Sequence, residues 1–183
     1  MSEFSELKQK HWSISVRLLH WVLAVSMILS FATHEGGGKP HEIVGYIALA
    51  SAVLRTLLGL FGKDRWRFSS FVRSLKATFQ YAKRVIIRTE PRYLGHNPLA
   101  AWMVLALLFV AITSGLSGWL YTTDQFWGVA WVGDTHDILG HLLIPLLLLH
   151  VAGAIFTSLR HRENLVAAMI HGNKRAPYGS DIE

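Results

Sequence analysis

Apolar residues are gathered into four long runs along the chain, separated by polar connections. The runs cover residues 16–33, 41–61, 98–121 and 136–159. The third has more than twenty consecutive residues without a charge, which a soluble helix with one solvated face would not tolerate. A helix needs about 20 apolar residues to cross the hydrocarbon core. The pattern therefore predicts an all-α, multi-pass membrane protein: a single domain made of a four-transmembrane-helix bundle.

The connection between the second and third runs, residues 63–92, is rich in Lys and Arg. Within it, large apolar residues recur at roughly helical spacing with cations between them: Phe71, Leu75, Phe79 and Ile86. This pattern predicts an amphipathic helix lying at the lipid headgroups, with a solvated loop as the alternative. After the fourth run, a short helix closed by Gly172 and a tail at 173–183 are expected.

The distribution of cations predicts the orientation of the chain in the membrane. Except for Lys39 and Arg55, every Lys and Arg lies before or at the very start of the first run, between the second and third, or after the fourth. The positive-inside rule therefore predicts that both termini, and the amphipathic helix, are cytoplasmic. The same rule explains the pI of about 9.8 better than nucleic-acid binding does. The polar N-terminus shows no cleavable signal peptide.

Histidine is the candidate metal ligand of this chain. There is no Cys, which excludes thiolate-bound clusters and covalently attached c-type haem, but there are ten His. His136 and His150 lie fourteen residues apart, on one face of a helix and about 21 Å apart along its axis. Two imidazoles at such different depths suit two separate metal or haem sites better than one shared site.

The predicted topology gives each of these histidines a partner on another helix. His41 and His136 both begin spans on the outer side, whereas His20 and His150 both lie near the cytoplasmic side. The four therefore form two height-matched pairs, as bis-histidine ligation of two haems requires. His34, also near the outer surface, is the alternative to His41. A haem-free protein with incidental histidines is the competing interpretation.

Neighbouring residues fit the same two sites. Small residues one turn from the ligands let a porphyrin approach the backbone, and the candidates are Gly45, Gly140 and Gly153. Span three adds Gly115 and Gly118, which could let it pack against the outer macrocycle. Arg17 lies on the face of His20, and Arg55 lies on the His41 face at the depth of the cytoplasmic haem. Both are candidates for binding propionates, although Arg55 could also extend to the headgroups.

Four sequence motifs resemble the bacterial cytochrome b561 and nickel-iron hydrogenase b-type cytochrome family. They are R-x-x-H-W at 17–21, H-x-x-x-G at 41–45, YLGHNPLAAWMVLALL from Tyr93, and H-x13-H at 136–150. The resemblance extends to about Gly172. It implies a four-helix bundle in the bacterial cytoplasmic membrane with two b-type haems, bound by the four histidines that depth and facing already select. Hydrogenase-linked members are usually longer, which favours a stand-alone quinone-linked cytochrome.

The expected function is electron transfer in a respiratory chain, between the quinone pool and a donor or acceptor at the outer side. Quinone chemistry is expected at the cytoplasmic side, near His20, His150 and Arg55, with His96 as a candidate proton relay. A haem-bearing anchor subunit for a dehydrogenase, hydrogenase or c-type cytochrome is the main rival. Its dock would be the aromatic connection from Phe126 to Trp131, although aromatics at that height usually form the interfacial belt of a membrane protein. A ferric-reductase-like cytochrome fits less well, because only span four carries a histidine pair. The sequence is compatible with an oligomer.

Overall fold

A computed structural model describes residues 8–35, 38–62, 67–179 and 181–182 of the chain. The described part is mostly helical. Its elements, in chain order, are β1 (Lys8–Lys10), α1 (Ile14–Ala32), α2 (Gly38–Phe61), α3 (Phe68–Phe71), α4 (Leu75–Ile86), α5 (Pro98–Tyr121), α6 (Ala130–His161), α7 (Leu165–His171) and β2 (Asn173–Arg175). The first four residues of the predicted basic segment, 63–66, and two positions of the predicted tail, 180 and 183, lie outside the described residues.

Four of the helices, α1, α2, α5 and α6, are long and apolar enough to cross a membrane. Large apolar side chains on them are exposed, including Ile28, Phe109 and Leu148, which are 65–67% accessible. Such surface is stable in hydrocarbon but not in water. The prediction of an all-α membrane protein with four spans is confirmed.

The helix boundaries follow local capping chemistry. The Asn97 side chain accepts a hydrogen bond from Ala100 N at 2.8 Å, and Pro98 occupies the first turn of α5, where its missing N–H costs nothing. Gly172 ends α7 with a left-handed backbone, φ 84°, as the sequence predicts. The fourth span is longer than predicted. The α6 helix begins at Ala130, six residues before His136. The α6 helix also continues through Pro145.

The chain divides into two compact units. The first contains residues 1–17, 59–104 and 149–183, and the second contains residues 18–58 and 105–148. In the first unit, the predicted tail contributes strand β2, which pairs antiparallel with β1 so that Lys8 faces Arg175. The backbone N–H groups of His11 and Trp12 donate to Gly172 O at 2.8 and 3.0 Å, which joins the start of the chain to the end of α7.

A buried ionic cluster joins further segments of the first unit. Arg92, 5% exposed, donates to Glu163 at 2.8 Å and to Asp181 at 2.6 Å. Lys174, 3% exposed, donates to Leu94 O at 2.7 Å and lies 3.5 Å from Glu163. We call these four charged residues, Arg92, Glu163, Lys174 and Asp181, the terminal clamp. They connect the segment before α5, the start of α7 and the C-terminal residues.

Candidate haem site

The second unit brings the rings of His41 of α2 and His136 of α6 close together, in an edge-on arrangement. Their ring centroids are 5.9 Å apart and their planes are 84° to each other. Metal–imidazole bonds are about 2 Å long, so two rings in line on opposite sides of one metal would have centroids about 6 Å apart. Either ring can rotate about its metal bond, so the angle between planes is compatible with this arrangement. The separation therefore fits two axial ligands of one iron.

The two imidazoles are held in the same way. His41 Nδ1 lies 3.1 Å from Ser30 O, and His136 Nδ1 lies 2.9 Å from Ser114 O. A backbone carbonyl can only accept, so each Nδ1 carries the proton and donates it. In such a ring Nε2 is the nitrogen left for binding a metal. This is the tautomer and the second-shell hydrogen bond that metal-binding histidines typically show.

Glycines on α5 set the position of α6 and α2 around this pair. A Cβ added at Gly118 would lie 2.8 Å from His136 Cε1 and 3.0 Å from its Nδ1, so only a glycine leaves room for this ring. Gly115, which the sequence suggested as a haem neighbour, lies against Leu49 of α2, where an added Cβ would meet Leu49 Cβ at 2.9 Å. Gly115 therefore allows α2 and α5 to approach, and Gly118 leaves room for the His136 ring.

The other small residues predicted beside the ligands border open space. An added Cβ at Gly45, Gly140 or Gly153 would meet no described atom within 4 Å. None of the three therefore serves a close contact between described parts of the protein. Gly45 and Gly140 lie one turn from His41 and His136, as expected for positions that border a bound macrocycle.

His34, the sequence alternative to His41, has a different environment. It is exposed, and its Nδ1 lies 2.6 Å from Phe31 O one turn earlier in the chain. It follows that His41, and not His34, is the α1–α2 histidine that faces His136.

The second predicted pair is divided between the two units. His20 lies in α1 within the second unit, half-buried and edge-on to Trp21 at 5.2 Å. His150 lies in α6 within the first unit and is also half-buried. Their pairing stays a prediction from helix periodicity and depth.

The predicted propionate partners have distinct surroundings. Arg55 is 7% exposed within α2, so it does not extend to the surface of its unit. Arg17 Nη1 donates to Ile170 O, which joins the start of α1 to α7. An added Cβ at Gly172 would lie 3.2 Å from Arg17 Nε, so this glycine also leaves room for the guanidinium. Arg17 thus has a structural partner in the described chain.

His96, the candidate quinone-side residue, lies among aromatic rings of the first unit. Its ring is 4.6 Å from that of Phe71 at a tilt of 32°, and 5.1 Å from that of Trp12 at 70°. Phe71 and Trp12 are both buried. The arrangement is a half-buried imidazole between two aromatic side chains, at the end of the segment that leads into α5.

Sequence reasoning missed three residues that shape the His41–His136 site. Ser30 and Ser114 act through their carbonyl oxygens, which no side-chain pattern reveals. Gly118 was noted only as a general packing residue. Its position three residues from Gly115 placed it on the same face of α5, but nothing in the sequence indicated which glycine would meet the ligand.

Comparison with known proteins identifies the family of the chain. The family model of prokaryotic cytochrome b561 matches residues 11–172. The chain is similar to two probable Ni/Fe-hydrogenase B-type cytochrome subunits. The one from Bradyrhizobium diazoefficiens is 23% identical, and the match covers 87% of this chain and 83% of the relative. The one from Cupriavidus necator is 24% identical, and the match covers 86% of this chain and 83% of the relative. No solved structure matches significantly. The chain therefore belongs to the prokaryotic cytochrome b561 family: it is a multi-pass membrane cytochrome of the b type that transfers electrons.

Proposed function

We propose that the chain holds two haems b and passes electrons across the membrane, between the quinone pool and a redox partner on the opposite side. The observation that carries the proposal is the facing of His41 and His136, 5.9 Å apart, each with Nδ1 bonded to a backbone carbonyl. A pair of imidazoles prepared in this way, within a b-type cytochrome family, is best explained as the two axial ligands of one haem.

The chain's own residues would hold the outer haem from both sides. His41 and His136 would bind its iron through Nε2, while the carbonyls of Ser30 and Ser114 orient the rings and increase their basicity. The haem supplies one-electron redox chemistry when bound. Gly45 and Gly140, with open space beside them, would border the macrocycle.

His20 and His150 are proposed as the ligands of the second haem. His20 lies on α1, which also carries Ser30 of the outer site. His150 lies on α6, fourteen residues from His136 and on the same face of the helix. The buried guanidinium of Arg55 would pair with a propionate of this haem. His136 and His150 lie about 21 Å apart along the helix axis, so haems held at these two positions would supply one-electron exchange across the membrane without a moving carrier.

The proposed orientation places both termini in the cytoplasm. It rests on the concentration of cations at the N-terminus, in residues 63–92 and after residue 159, against a single Lys39 in the opposite connections. The α4 helix supports it, because its apolar residues Leu75, Phe79 and Ile86 are 63–79% exposed. Lys83 Nζ lies 4.7 Å from the ring centre of Phe79. An exposed apolar face with adjacent cations suits the anionic headgroups of the cytoplasmic leaflet.

A quinone is proposed to react near His96. The imidazole between Phe71 and Trp12 offers a proton donor or acceptor beside flat aromatic walls, which suits a quinone ring that gains or loses protons with its electrons.

Electron exchange with quinone can be followed by the haem absorbance of the purified protein under anaerobic conditions. A short-chain quinol should reduce the oxidised haems, or the matching quinone should oxidise the reduced ones, according to the potentials. His96→Gln should slow this exchange about tenfold or more, while reduction by dithionite and the haem spectrum stay unchanged. His141→Gln, at an exposed histidine of α6, is the matched control. Haems that exchange electrons with neither form of the quinone contradict the proposal.

A second candidate function is service as the haem subunit of a hydrogenase-type complex. The similar proteins of Bradyrhizobium diazoefficiens and Cupriavidus necator are named as probable subunits of Ni/Fe-hydrogenase, and this favours it. A stable partner that co-purifies without crosslinking would support the subunit function. A chain that purifies alone and still exchanges electrons with quinone would support the stand-alone cytochrome.

A further inference from the structure

The connection between α5 and α6 presents large aromatic side chains at its surface. Trp127 is 70% exposed and Trp131 59% exposed. Trp127 stacks on Tyr121 with ring centroids 5.8 Å apart, and Trp131 meets Phe126 edge-on at 6.1 Å. The two indoles are therefore fixed in position by other rings and yet uncovered. Rigid, exposed aromatics of this kind are typical anchors of protein interfaces.

The charges around these aromatics are almost all negative. Asp124, Asp134 and Asp137 are exposed, and no Lys or Arg occurs between residues 122 and 159. We call the surface of these three aspartates with Trp127 and Trp131 the acidic aromatic face. Glu35 in the α1–α2 connection and Glu42 near the start of α2 add two more acids, with Lys39 as the only cation between them in the sequence, at the same end of the unit as the His41–His136 pair.

The position of Asp137 indicates that the acidic aromatic face lies outside the hydrocarbon core. An exposed aspartate is not stable against lipid chains, so Asp137 lies at or beyond the edge of the core. Trp131 lies six residues earlier on α6, which places it about 9 Å further out along the helix. Each headgroup region is only about 5–8 Å thick. Trp131 therefore lies beyond the depth of an interfacial aromatic belt, in water.

Charge complementarity indicates what covers the face. A second copy of the chain would bring the same negative surface against it, and anionic lipid would be repelled in the same way. A positively charged protein would be attracted. The face also lies next to the proposed outer haem, because Asp137 follows the ligand His136 directly.

We propose that the acidic aromatic face docks a soluble redox protein whose exposed redox centre is ringed by Lys and Arg. The aspartates attract and orient the partner, and Trp127 and Trp131 provide the central apolar contact. A partner docked there would lie beside the site formed by His41 and His136, where a bound haem would supply one-electron exchange with it. This step rests on the proposed function.

The test measures electron transfer by stopped flow between the reduced holoprotein in detergent and a lysine-rich soluble cytochrome c. The rate constant should fall about tenfold or more between low and moderate salt. It should fall by a similar factor at low salt in the triple variant Asp124→Asn, Asp134→Asn, Asp137→Asn. Trp127→Ala with Trp131→Ala should weaken binding with little change in the salt dependence. The same cytochrome with acetylated lysines should react slowly with all proteins alike.

A small neutral oxidant provides the control. It should oxidise the wild type and every variant at the same rate, and the haem spectra should be identical. Rates with the basic cytochrome that do not depend on salt, on the aspartates or on the tryptophans would overturn the docking proposal. Loss of haem, or of oxidation by the small oxidant, would instead contradict the proposed haem site. Added to sealed vesicles of known orientation, the same cytochrome should react only from the side opposite the termini.

Discussion

The histidine pair of the second unit depends on atoms that are not themselves ligands. The carbonyls of Ser30 and Ser114 fix the proton on Nδ1 of His41 and His136, so that both Nε2 atoms can bind metal without a change of tautomer. A neutral imidazole in the right tautomer needs no proton release or ring flip on binding. Backbone acceptors achieve this in apolar surroundings without adding a charge.

Gly118 is the residue whose substitution most directly tests this arrangement. In Gly118→Ala the new Cβ would overlap the His136 ring, 2.8 Å from Cε1 and 3.0 Å from Nδ1, the atom that bonds the Ser114 carbonyl. We expect the variant to lose the outer haem or to shift its absorption and potential. Haem content and a redox titration of the purified variant measure this.

Leu116→Ala provides the control for the Gly118 variant. It lies two residues away on α5 and is 43% exposed, so it should leave both haems unchanged. A Gly118→Ala protein with the haem content, spectrum and potentials of the wild type would show that His136 is not seated against α5 as described.

At the residue scale, the sequence could identify His41 and His136 because helix periodicity and cation counting assign each a height. It could not choose firmly between His34 and His41, which lie seven residues apart near the same surface. The choice depends on where α2 begins and on which carbonyls are nearby, and these follow from tertiary packing. The roles of Gly115 and Gly118 could not be separated for the same reason.

The helices show how element boundaries depart from hydropathy. The apolar run predicts α5 at its observed limits, because Asn97 and Pro98 mark its start chemically. The α6 helix begins at Ala130, before its apolar run. Trp131, Val132 and Asp134 do not extend the apolar stretch, but they can continue the helix outside the membrane. Its 32 residues span about 48 Å, more than the hydrocarbon core of about 30 Å requires.

The terminal clamp was not predictable from local patterns. Its residues are far apart in the chain, and Arg92 counts simply as one more cytoplasmic cation in the sequence. In the structure it is buried against Glu163 and Asp181. Burial alone would raise the pKa of Glu163, but the hydrogen bond from Arg92 and the charge of Lys174 outweigh it, so that its pKa is lowered.

This lowered pKa makes the clamp sensitive to acid. A carboxyl group whose pKa is depressed in the folded state stabilises the fold above its ordinary pKa of 4.5, and the stabilisation is lost as the pH falls through the folded value. Glu90, whose pKa is lowered chiefly by the hydrogen bond from Arg160, adds to the same trend. The first unit should therefore loosen below about pH 4.5.

Glu163→Gln tests the clamp. Removing one partner of a buried ion pair leaves Arg92 and Lys174 without their shared carboxylate, which costs about 3 kcal/mol. The thermal midpoint should fall by roughly 5 °C or more, and the acid-dependent part of the loss should shrink, as measured by circular dichroism against temperature at pH 7 and pH 4.

Glu42→Gln is the matched control for the clamp variant. Its pair with Lys39 is 3.2 Å long, but the lysine side chain is 86% exposed, so its loss should change stability little. Equal midpoints for the Glu163 and Glu42 variants would contradict a stabilising role for the clamp.

On the scale of the whole molecule, apolar surface and charge asymmetry are the features that the sequence predicts best. Membrane insertion is a one-dimensional constraint, because each span must satisfy its own backbone and present apolar side chains to lipid. Four spans, helical class and membership of the cytochrome b561 family could therefore be predicted without coordinates. Contacts between segments far apart in the chain, such as the β1–β2 pairing, could not.

The central claim is that four histidines form two haem sites, paired as His41 with His136 and His20 with His150. Double variants test the pairing more sharply than single ones. If the pairing is right, His41→Ala with His136→Ala damages one site only, whereas His41→Ala with His150→Ala damages both. The control, His34→Ala with His141→Ala, also removes two histidines, but these belong to neither pair.

The decisive measurement is the haem-to-protein ratio of these proteins, purified in parallel and assayed as pyridine haemochrome. The account predicts two haems per chain in the wild type and the control, one after loss of His41 and His136, and none after loss of His41 and His150. A single haem in the wild type, or equal haem content in the two double variants, would contradict it.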